Sequence, residues 1–451
     1  MREFSSFRDP SGQVFFENGR VLRQVNNAYR AQYDALMDRL YPALVKEGLL
    51  IPHAEEDMPL PEGAYKILAP EKVPFISYPY EWSFGQLRDA ALVTLKCHRM
   101  ALDQNMILKD ASAYNIQFVR GKAVLIDTLS FELYEEGKPW IAYGQFCRHF
   151  LAPLLLMAHV DVRLSQLLRN YIDGIPLDLA STLLGRKGGF TATQHIRWHA
   201  RAIAKHGQDG KSTAAPRELR LGKLQHVAMI DSLIRAVSSI RQKGIVTEWG
   251  DYYAHTNYTD EAASEKERLV SAFLDEIQPK TAWDFGANDG RYTRLSLKYG
   301  GSAVAFDIDP VAVERSYNAV KASGEEMLPL LLDLTNPTPA IGFANRERGD
   351  IASRQKPDCI MMLAVIHHMA ISNNLPFEKI AEWLASMAKH VIIEFVPKAD
   401  SQVQTLLATR DDIFPDYHEQ GFEKAFGTYF TIRKGEPIQG TKRTLYLMTA
   451  K

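Results

Sequence analysis

The run Asp284-Phe285-Gly286-Ala287-Asn288-Asp289-Gly290 decides how this chain is read. It follows directly on the apolar Thr281-Ala282-Trp283 and precedes a helical pattern that opens near Tyr292. Strand, glycine-bearing turn and helix in that order make the first step of a doubly wound α/β sheet. Ligands of such sheets bind beyond the carboxyl ends of the strands. Glycines at that place let the backbone come close to a ligand and adopt dihedrals that other residues avoid. Alone, Asp-x-Gly-x-x-x-Gly is a moderately specific pattern; what surrounds it gives it weight.

Working outward, a helix over Asp260 to Ile277 is stopped by Pro279. Apolar runs follow at Ala303 to Phe306, Leu328 to Leu332, Cys359 to Ala364 and Val391 to Ile393, with helical patterns between most of them. Continuous apolar strands alternating with helices predict a buried parallel sheet. The end differs. Tyr429-Phe430-Thr431-Ile432 and Thr444-Leu445-Tyr446-Leu447, joined by a Gly-bearing loop, predict an antiparallel pair. Asp307-Ile308-Asp309 closes the second strand, where a carboxylate can accept both hydroxyls of a ribose, and Asp333-Leu334 closes the third, where one can accept an amino hydrogen. Asp309, just before Pro310, reads as a turn residue. A nicotinamide-binding domain is the competing reading, weakened because the loop lacks Gly-x-Gly-x-x-Gly spacing.

These residues, with Ile366-His367-His368 after the fourth strand, resemble class I S-adenosylmethionine (SAM)-dependent methyltransferases. The terminal β pair fits that family, whose last strand is inserted antiparallel. The resemblance implies SAM as cofactor, bound by Asp284, Gly286, Ala287, Asn288, Gly290, Asp307, Ile308, Asp333 and Leu334. Gly286 and Gly290 would pass the methionine part, Asp307 would take the ribose and Asp333 the adenine amino group. Asp284 would support the loop and the cofactor's amino group. Methyl transfer is an in-line displacement at an activated carbon, so the protein must align the acceptor and exclude water. A hydroxyl acceptor also needs a base; His367 or His368 is expected to serve, histidine titrating in the useful range. No third ligand is evident beside them, so no metal is expected in this domain. The Asn/Asp-Pro-Pro-Tyr/Phe signature of nucleic-acid amine methylation is absent. Glu394-Phe395-Val396-Pro397-Lys398 and the aromatic Trp249, Tyr252, Tyr253 and Tyr258 are candidates to line an acceptor pocket or simply to pack.

The first half reads differently. Gln13 to Phe16 and Arg20 to Val25 flank Asn18-Gly19, a hairpin signal. A helix from about Asn27 to Glu47, strands at Tyr65 to Leu68 and Phe75 to Tyr78, and a helix capped by Ser83 and running to about Met106 follow. Trp140 to Lys205 is mainly helical, with loops at Gly174-Ile175-Pro176 and Gly188-Gly189. Gly207 to Pro216 reads as a linker, and a last helix carrying Leu224, Val227, Leu233, Ile234, Val237 and Ile240 is predicted to end at Gly244. The boundary falls at about 245, giving domains 1–244 and 245–451.

Asp110 and Asn115 have the Asp-x-x-x-x-Asn spacing of a kinase catalytic loop, and Asp127 follows an apolar run. This segment resembles aminoglycoside-phosphotransferase-like kinases, implying an α+β kinase-like domain and, if active, ATP and magnesium held by Asn115 and Asp127. Leu108-Lys109 departs from the usual His or Arg before the catalytic Asp, no phosphate loop stands near Gly12 or Gly19, and the nucleotide lysine has no clear counterpart. Lys66 is a poor candidate, and Arg23 occupies the better strand. Across the chain, Leu108 to Asn115, Ile126 to Glu132, Gln145 to Phe150, Phe395 to Lys398 and Phe414 to Tyr417 are similar to bacterial nodulation-type methyltransferases.

Bulk composition agrees with two ordinary globular domains. Of 451 residues, 46% are hydrophobic and 24% charged, with a net charge of -1. That balance gives no footprint for nucleic acid or an anionic membrane. Three scattered cysteines, no signal-peptide pattern and no apolar run long enough to span a bilayer predict a soluble cytoplasmic protein. The expected activity is SAM-dependent O-methylation of a glycan or other polar small molecule, with a kinase-like accessory domain. The alternatives are a bifunctional kinase and methyltransferase, or a non-catalytic binding protein.

Overall fold

The computed structural model describes residues 3–187, 192–197, 221–242, 244, 247, 258–408 and 410–451. The predicted loop at Gly188-Gly189, the linker from Gly207 to Pro216, and Trp249, Tyr252 and Tyr253 lie outside these residues. The chain forms two compact units, Met1–Gly244 with Ala340–Arg348, and Ile245–Pro339 with Gly349–Lys451. No described helix is long and apolar enough to cross a membrane.

In the first unit, β1 (Gly12–Glu17) and β2 (Arg20–Asn26) form an antiparallel hairpin. Asn18 and Gly19 turn it with φ of 49° and 75°, the paired positive dihedrals of a two-residue hairpin turn. A helical run over 27–46 follows and contains a π-type turn at Leu36–Leu40. Tyr29 and Tyr33 of this run pack with Val25, Leu68 and Leu129. β4 (Ala64–Pro70) joins β2, but the fourth strand is β3 (His53–Glu55), giving the order β1-β2-β4-β3. The expected strand at Phe75 to Tyr78 is absent. Prolines 74 and 79 bracket it, and the Ser77 amide donates instead to the Gln117 side chain at 2.8 Å.

Helix α1 (Phe84–Asp103) begins on Ser83, whose hydroxyl accepts from the Gln86 amide while the Gln86 side chain accepts from the Ser83 amide. It ends three residues before the predicted Met106, because Asn105 turns left-handed (φ 56°) and Met106 starts β5 (Met106–Leu108). The hairpin β6 (Ile116–Val119) and β7 (Lys122–Leu125) follows, then β8 (Phe131–Leu133) pairs with β5. Helix α2 (Lys223–Ser239) buries His226, Ile230, Leu233, Ala236 and Val237. Leu224, expected on its apolar face, is 87% exposed, and the helix stops at Ser239 rather than Gly244. The segment 340–348 joins this unit through Glu347, which is buried and takes Arg8 Nη2 at 3.0 Å, and through Arg348, stacked over Tyr114.

The first described helix of the second unit is α3 (Asp260–Ile277), capped by Thr259 and closed by left-handed Gln278 (φ 44°). Its strands are β9 (Thr281–Phe285), β10 (Ser302–Asp307), β11 (Met327–Leu331), β12 (Cys359–Met362), β13 (His390–Phe395), β14 (Phe430–Pro437) and β15 (Thr444–Ala450). They form one sheet in the order β11-β10-β9-β12-β13-β15-β14. The first five are parallel, and β15 enters antiparallel between β13 and β14. Every residue of β12 is buried, as a central parallel strand requires. At the entry to β10, a Cβ on Gly301 would stand 1.9 Å from the Lys280 carbonyl oxygen. Gly301→Ala is therefore expected to cost about 1–3 kcal/mol, since backbone cannot move aside as a side-chain tip can. An unfolding midpoint unchanged by this substitution would contradict that packing.

Candidate functional site

The chain leaves β9 for β10 and β11 on one side and returns through β12 on the other. The reversal opens a crevice at the carboxyl ends of β9 and β12, where doubly wound sheets bind ligands. The loop over it is built from left-handed residues: Gly286 (φ 78°), Asn288 (φ 51°) and Gly290 (φ 81°). Amides of Gly286 and Ala287 donate to the Phe306 carbonyl at 2.8 and 2.9 Å. Asp307, at the end of β10, anchors the rest: one carboxylate oxygen accepts from the Asn288 amide and the other from the Asp309 amide, both at 2.8 Å. A Cβ on Gly286 would lie 2.3 Å from Val365 Cγ2, so the glycine lets the loops after β9 and β12 meet. At the exit of β12, Ala364 is itself left-handed (φ 56°), a strained state for a residue with a Cβ, lying at the crevice.

Asp284 is fully buried one residue before the end of β9. Its Oδ2 accepts from the Thr293 hydroxyl at 2.6 Å, while Oδ1 has no hydrogen-bond partner. Burial pushes its carboxyl up to about 7, against the opposing pull of Thr293 and Lys266. Asp307 is pushed up to about 6, again by burial, in spite of its backbone donors. Beside Asp307, Ile308 is 59% exposed, an apolar side chain left uncovered at a strand end. Asp333 stands two residues past β11, half-buried, and accepts from the Thr335 amide and hydroxyl at 2.8 and 2.7 Å. Leu334 is half-buried next to it, and Ala287 is buried in the loop. Asp309 is the N-cap of the helix Pro310–Ser323, accepting from the amides of Val311 and Ala312, which fits its reading as a turn residue.

His367 and His368 lie with ring centroids 4.1 Å apart and ring planes tilted by 40°. His367 is buried, with Nδ1 lacking a partner. The expectation that they titrate in the neutral range is corrected. Burial, then His368, Arg443 and Lys266, push His367 well below the ordinary imidazole value. Burial and Arg443 lower His368 to about 4. Both rings are uncharged at neutral pH, able to accept a hydrogen bond but weak as bases.

The cations behind this shift belong to a buried network that the sequence reading missed. Lys266 Nζ of α3 lies 2.7 Å from Glu394 Oε2 of β13, and Arg443 Nη1 lies 3.1 Å from Glu394 Oε1. Arg443 also grips Asp400 with two bonds of 2.8 and 3.2 Å. The Tyr258 hydroxyl donates to Glu394 and accepts from Arg443. The Lys266, Glu394, Arg443 and Asp400 side chains are 4, 0, 1 and 6% exposed. Glu394 is thus held inside an ion network, and Lys398, the other charged residue of its segment, pairs with Asp412 nearer the surface. A signal was available: Lys266 interrupts the buried face Ala262, Leu269, Val270, Phe273 of α3, and Glu394 interrupts the apolar run of β13. Charges at such positions are rare unless paired.

In the first unit the candidate residues Asp110, Asn115 and Asp127 gather around the hairpin β6–β7. Asp110 accepts from Gln145 Nε2 at 2.7 Å and the Ser112 amide at 2.9 Å. Burial and then the neighbouring Asp127 raise its carboxyl, with Ser112, Asn115 and Gln145 opposing. Asn115 Nδ2 donates to Ser130 Oγ at 3.3 Å. Asp127 accepts from the Leu129 amide at 2.9 Å and from Arg23 Nη2 at 2.5 Å. Lys66 instead pairs with Glu55 on the half-exposed face of the sheet.

The seven-strand order of the second unit, with its antiparallel last strand, is the class I methyltransferase topology that the sequence resembles. No protein-family model matches the chain. Nodulation protein NoeA of Rhizobium meliloti (strain 1021) is 35% identical over 454 residues, which cover 99% of this chain and 95% of that protein. The chain belongs to the NoeA family of nodulation proteins. Among solved structures, N-methyltransferase NodS from Bradyrhizobium japonicum WM9 aligns with 42% of this chain and 97% of its own, at 10% identity and a TM-score of 0.33. Magnesium protoporphyrin IX methyltransferase from Synechocystis PCC 6803, with bound S-adenosylhomocysteine (SAH), aligns with 45% of this chain and 93% of its own, at 18% identity and a TM-score of 0.32.

Proposed function

We propose that the second unit is a SAM-dependent methyltransferase acting on a glycan or other polar small molecule, with the first unit a kinase-like accessory. The observation that carries this is the left-handed loop 286–290 at the strand-order reversal, tied to the β10 end by Asp307. The unpartnered, fully buried Asp284 Oδ1 supports a cationic group arriving there, as the cofactor's ammonium would. Ile308 offers an exposed apolar surface for a planar base, and Asp307 retains lone pairs for ribose hydroxyls. Asp333 would accept from the adenine amino group beside Leu334, with Gly286, Ala287, Asn288 and Gly290 shaping the methionine end. The cofactor, when bound, supplies an activated methyl group and its own leaving group. His367 and His368, uncharged, would orient an acceptor hydroxyl by accepting its hydrogen bond. Three buried, unbridged cysteines support a reducing compartment, hence the cytoplasm. Family membership alongside a nodulation protein supports a glycan or polar metabolite as acceptor. The gathering of Asp110, Asn115 and Asp127 around one hairpin supports the kinase-like reading of the first unit.

The test is cofactor affinity in two variants, each first checked for an intact unfolding transition, together with labelled methyl transfer from SAM to a panel of polar acceptors. Asp307→Asn keeps the side chain's size and one acceptor oxygen, yet removes the charge; about 100-fold weaker SAM binding is expected from charged hydrogen bonds of roughly 1.5–3 kcal/mol. Gly286→Val should abolish binding by pushing on Val365. Wild-type affinity in both folded variants would sink the site.

A further inference from the structure

We propose that Arg23 stands in the place of a divalent cation in the kinase-like unit, so that this unit carries out no magnesium-dependent phosphoryl transfer. Phosphoryl transfer needs a carboxylate free to hold the metal, a cation on the nucleotide phosphates, and a loop covering them. Each requirement meets an obstacle built from this chain's own residues.

The carboxylate that the sequence pattern offers to a metal is Asp127, and it is already engaged. Arg23 Nη2 lies 2.5 Å from its Oδ1, which also accepts from the Leu129 amide at 2.9 Å. The Arg23 and Asp127 side chains are only 16 and 13% exposed, so the pair is shielded from water and from screening. A guanidinium stays charged at all accessible pH and cannot step aside by losing its proton. The second residue of the pattern, Asn115, is oriented by its Nδ2, which donates to Ser130 Oγ at 3.3 Å, so the obstacle to a metal lies at Asp127 alone.

The phosphate side is equally closed. Arg23 sits on β2, the strand best placed to carry a nucleotide lysine, and its charge is spent on Asp127. Lys109 is tied to Ser11 Oγ at 2.7 Å and lies over the Tyr29 ring, 5.0 Å from its centroid. Neither glycine of the hairpin serves as a phosphate cradle. Gly12 faces the Gln24 carbonyl so closely that a Cβ would stand 2.1 Å from it, a demand of strand pairing. Gly19 is the left-handed corner of a two-residue turn, too short to fold over phosphates.

Asp110 keeps its place beside Gln145 and Ser112, so the fold of the catalytic loop survives while the metal's position is taken by a fixed side chain. The kinase-like segment is thus a framework stabilised by the ion pair that excludes its expected metal.

The test uses the full chain and two readouts, manganese binding by electron paramagnetic resonance and nucleotide binding by calorimetry with and without magnesium. Wild-type protein is expected to bind neither manganese nor magnesium-ATP at millimolar concentrations. Arg23→Gln, which frees Asp127 while preserving a polar side chain, is expected to gain a manganese signal that Arg23→Gln/Asp127→Asn lacks. Saturable magnesium-dependent ATP binding by the wild type, lost in Asp127→Asn, would overturn the proposal. A folded Arg23→Gln with no gained metal binding would overturn the role given to the ion pair. Folding of each variant is read from its unfolding transition, and Arg23→Lys, which retains a cation, provides the control that should stay metal-free.

Discussion

Glu394→Ala is expected to destabilise the second unit by about 3–5 kcal/mol, the largest effect foreseen for a single side chain. Glu394 separates Lys266 from Arg443, two cations with almost no access to water. Burial alone would raise its carboxyl, yet Lys266 and Arg443 hold it below the ordinary value, so it is charged in the folded protein. Removing it leaves two like charges in a low-dielectric site, with the Tyr258 hydroxyl deprived of its acceptor. Asp400 compensates Arg443 but not Lys266. The double replacement Lys266→Met/Glu394→Leu removes the uncompensated charge and should recover most of the loss. Urea unfolding combined with hydrogen exchange on β13 and β15 reads both. Equal stability of Glu394→Ala and wild type would mean that the network is hydrated and the packing around it open.

The second large effect is on the pH dependence of cofactor affinity. In the free protein burial pushes Asp284 to about 7 and Asp307 to about 6, well above the roughly 3.9 of an unfolded chain. The groups facing Asp284 are Lys266 on α3, Thr293, and Asp307 on β10. An ammonium on Asp284 and ribose hydroxyls on Asp307 favour the ionised carboxylates, so binding releases protons. Affinity for SAM should therefore rise with pH through about 6 to 7, by up to roughly tenfold per unit and per group, and level off above. The linkage to folding has the opposite sense. Both carboxyls bind protons more tightly when folded, so their stabilising contribution is full below about pH 4 and is lost as pH rises through about 6 to 7. Calorimetry in buffers of differing ionisation enthalpy measures the proton count directly. Tight binding with no proton release from pH 6 to 8 would refute the link while leaving the cofactor site intact.

Much of the second unit was legible because its signals are local. Apolar strands, the glycine loop and the Pro279 stop each lie within a few residues; the strands begin within a residue of their predicted places, although β14 runs on to Pro437, five residues past its predicted end. Asp307 and Asp284 could be located the same way, since a carboxylate at a strand end is visible in one dimension. What could not be read depends on approach across the fold. Lys266, Glu394, Asp400 and Arg443 come from distant segments, so even where a charge interrupts an apolar face its partners stay hidden until α3 and the strands assemble. The titration of His367 and His368 is equally illegible in one dimension, because it is set by those cations and by burial. In the first unit, Phe75 to Tyr78 carries strand-like residues yet is claimed by Gln117, some forty positions onward. The grouping of 340–348 with the first unit rests on Arg8 and Glu347, a pairing with no local trace.

The most direct test of the central claim is calorimetric titration of the wild-type protein with SAH. Saturable binding of one equivalent is expected, abolished in Gly286→Val and about 100-fold weaker in Asp307→Asn, in variants whose unfolding transitions show them folded. Absence of binding by the folded wild-type chain, at neutral or alkaline pH where both carboxylates can ionise, would contradict that claim.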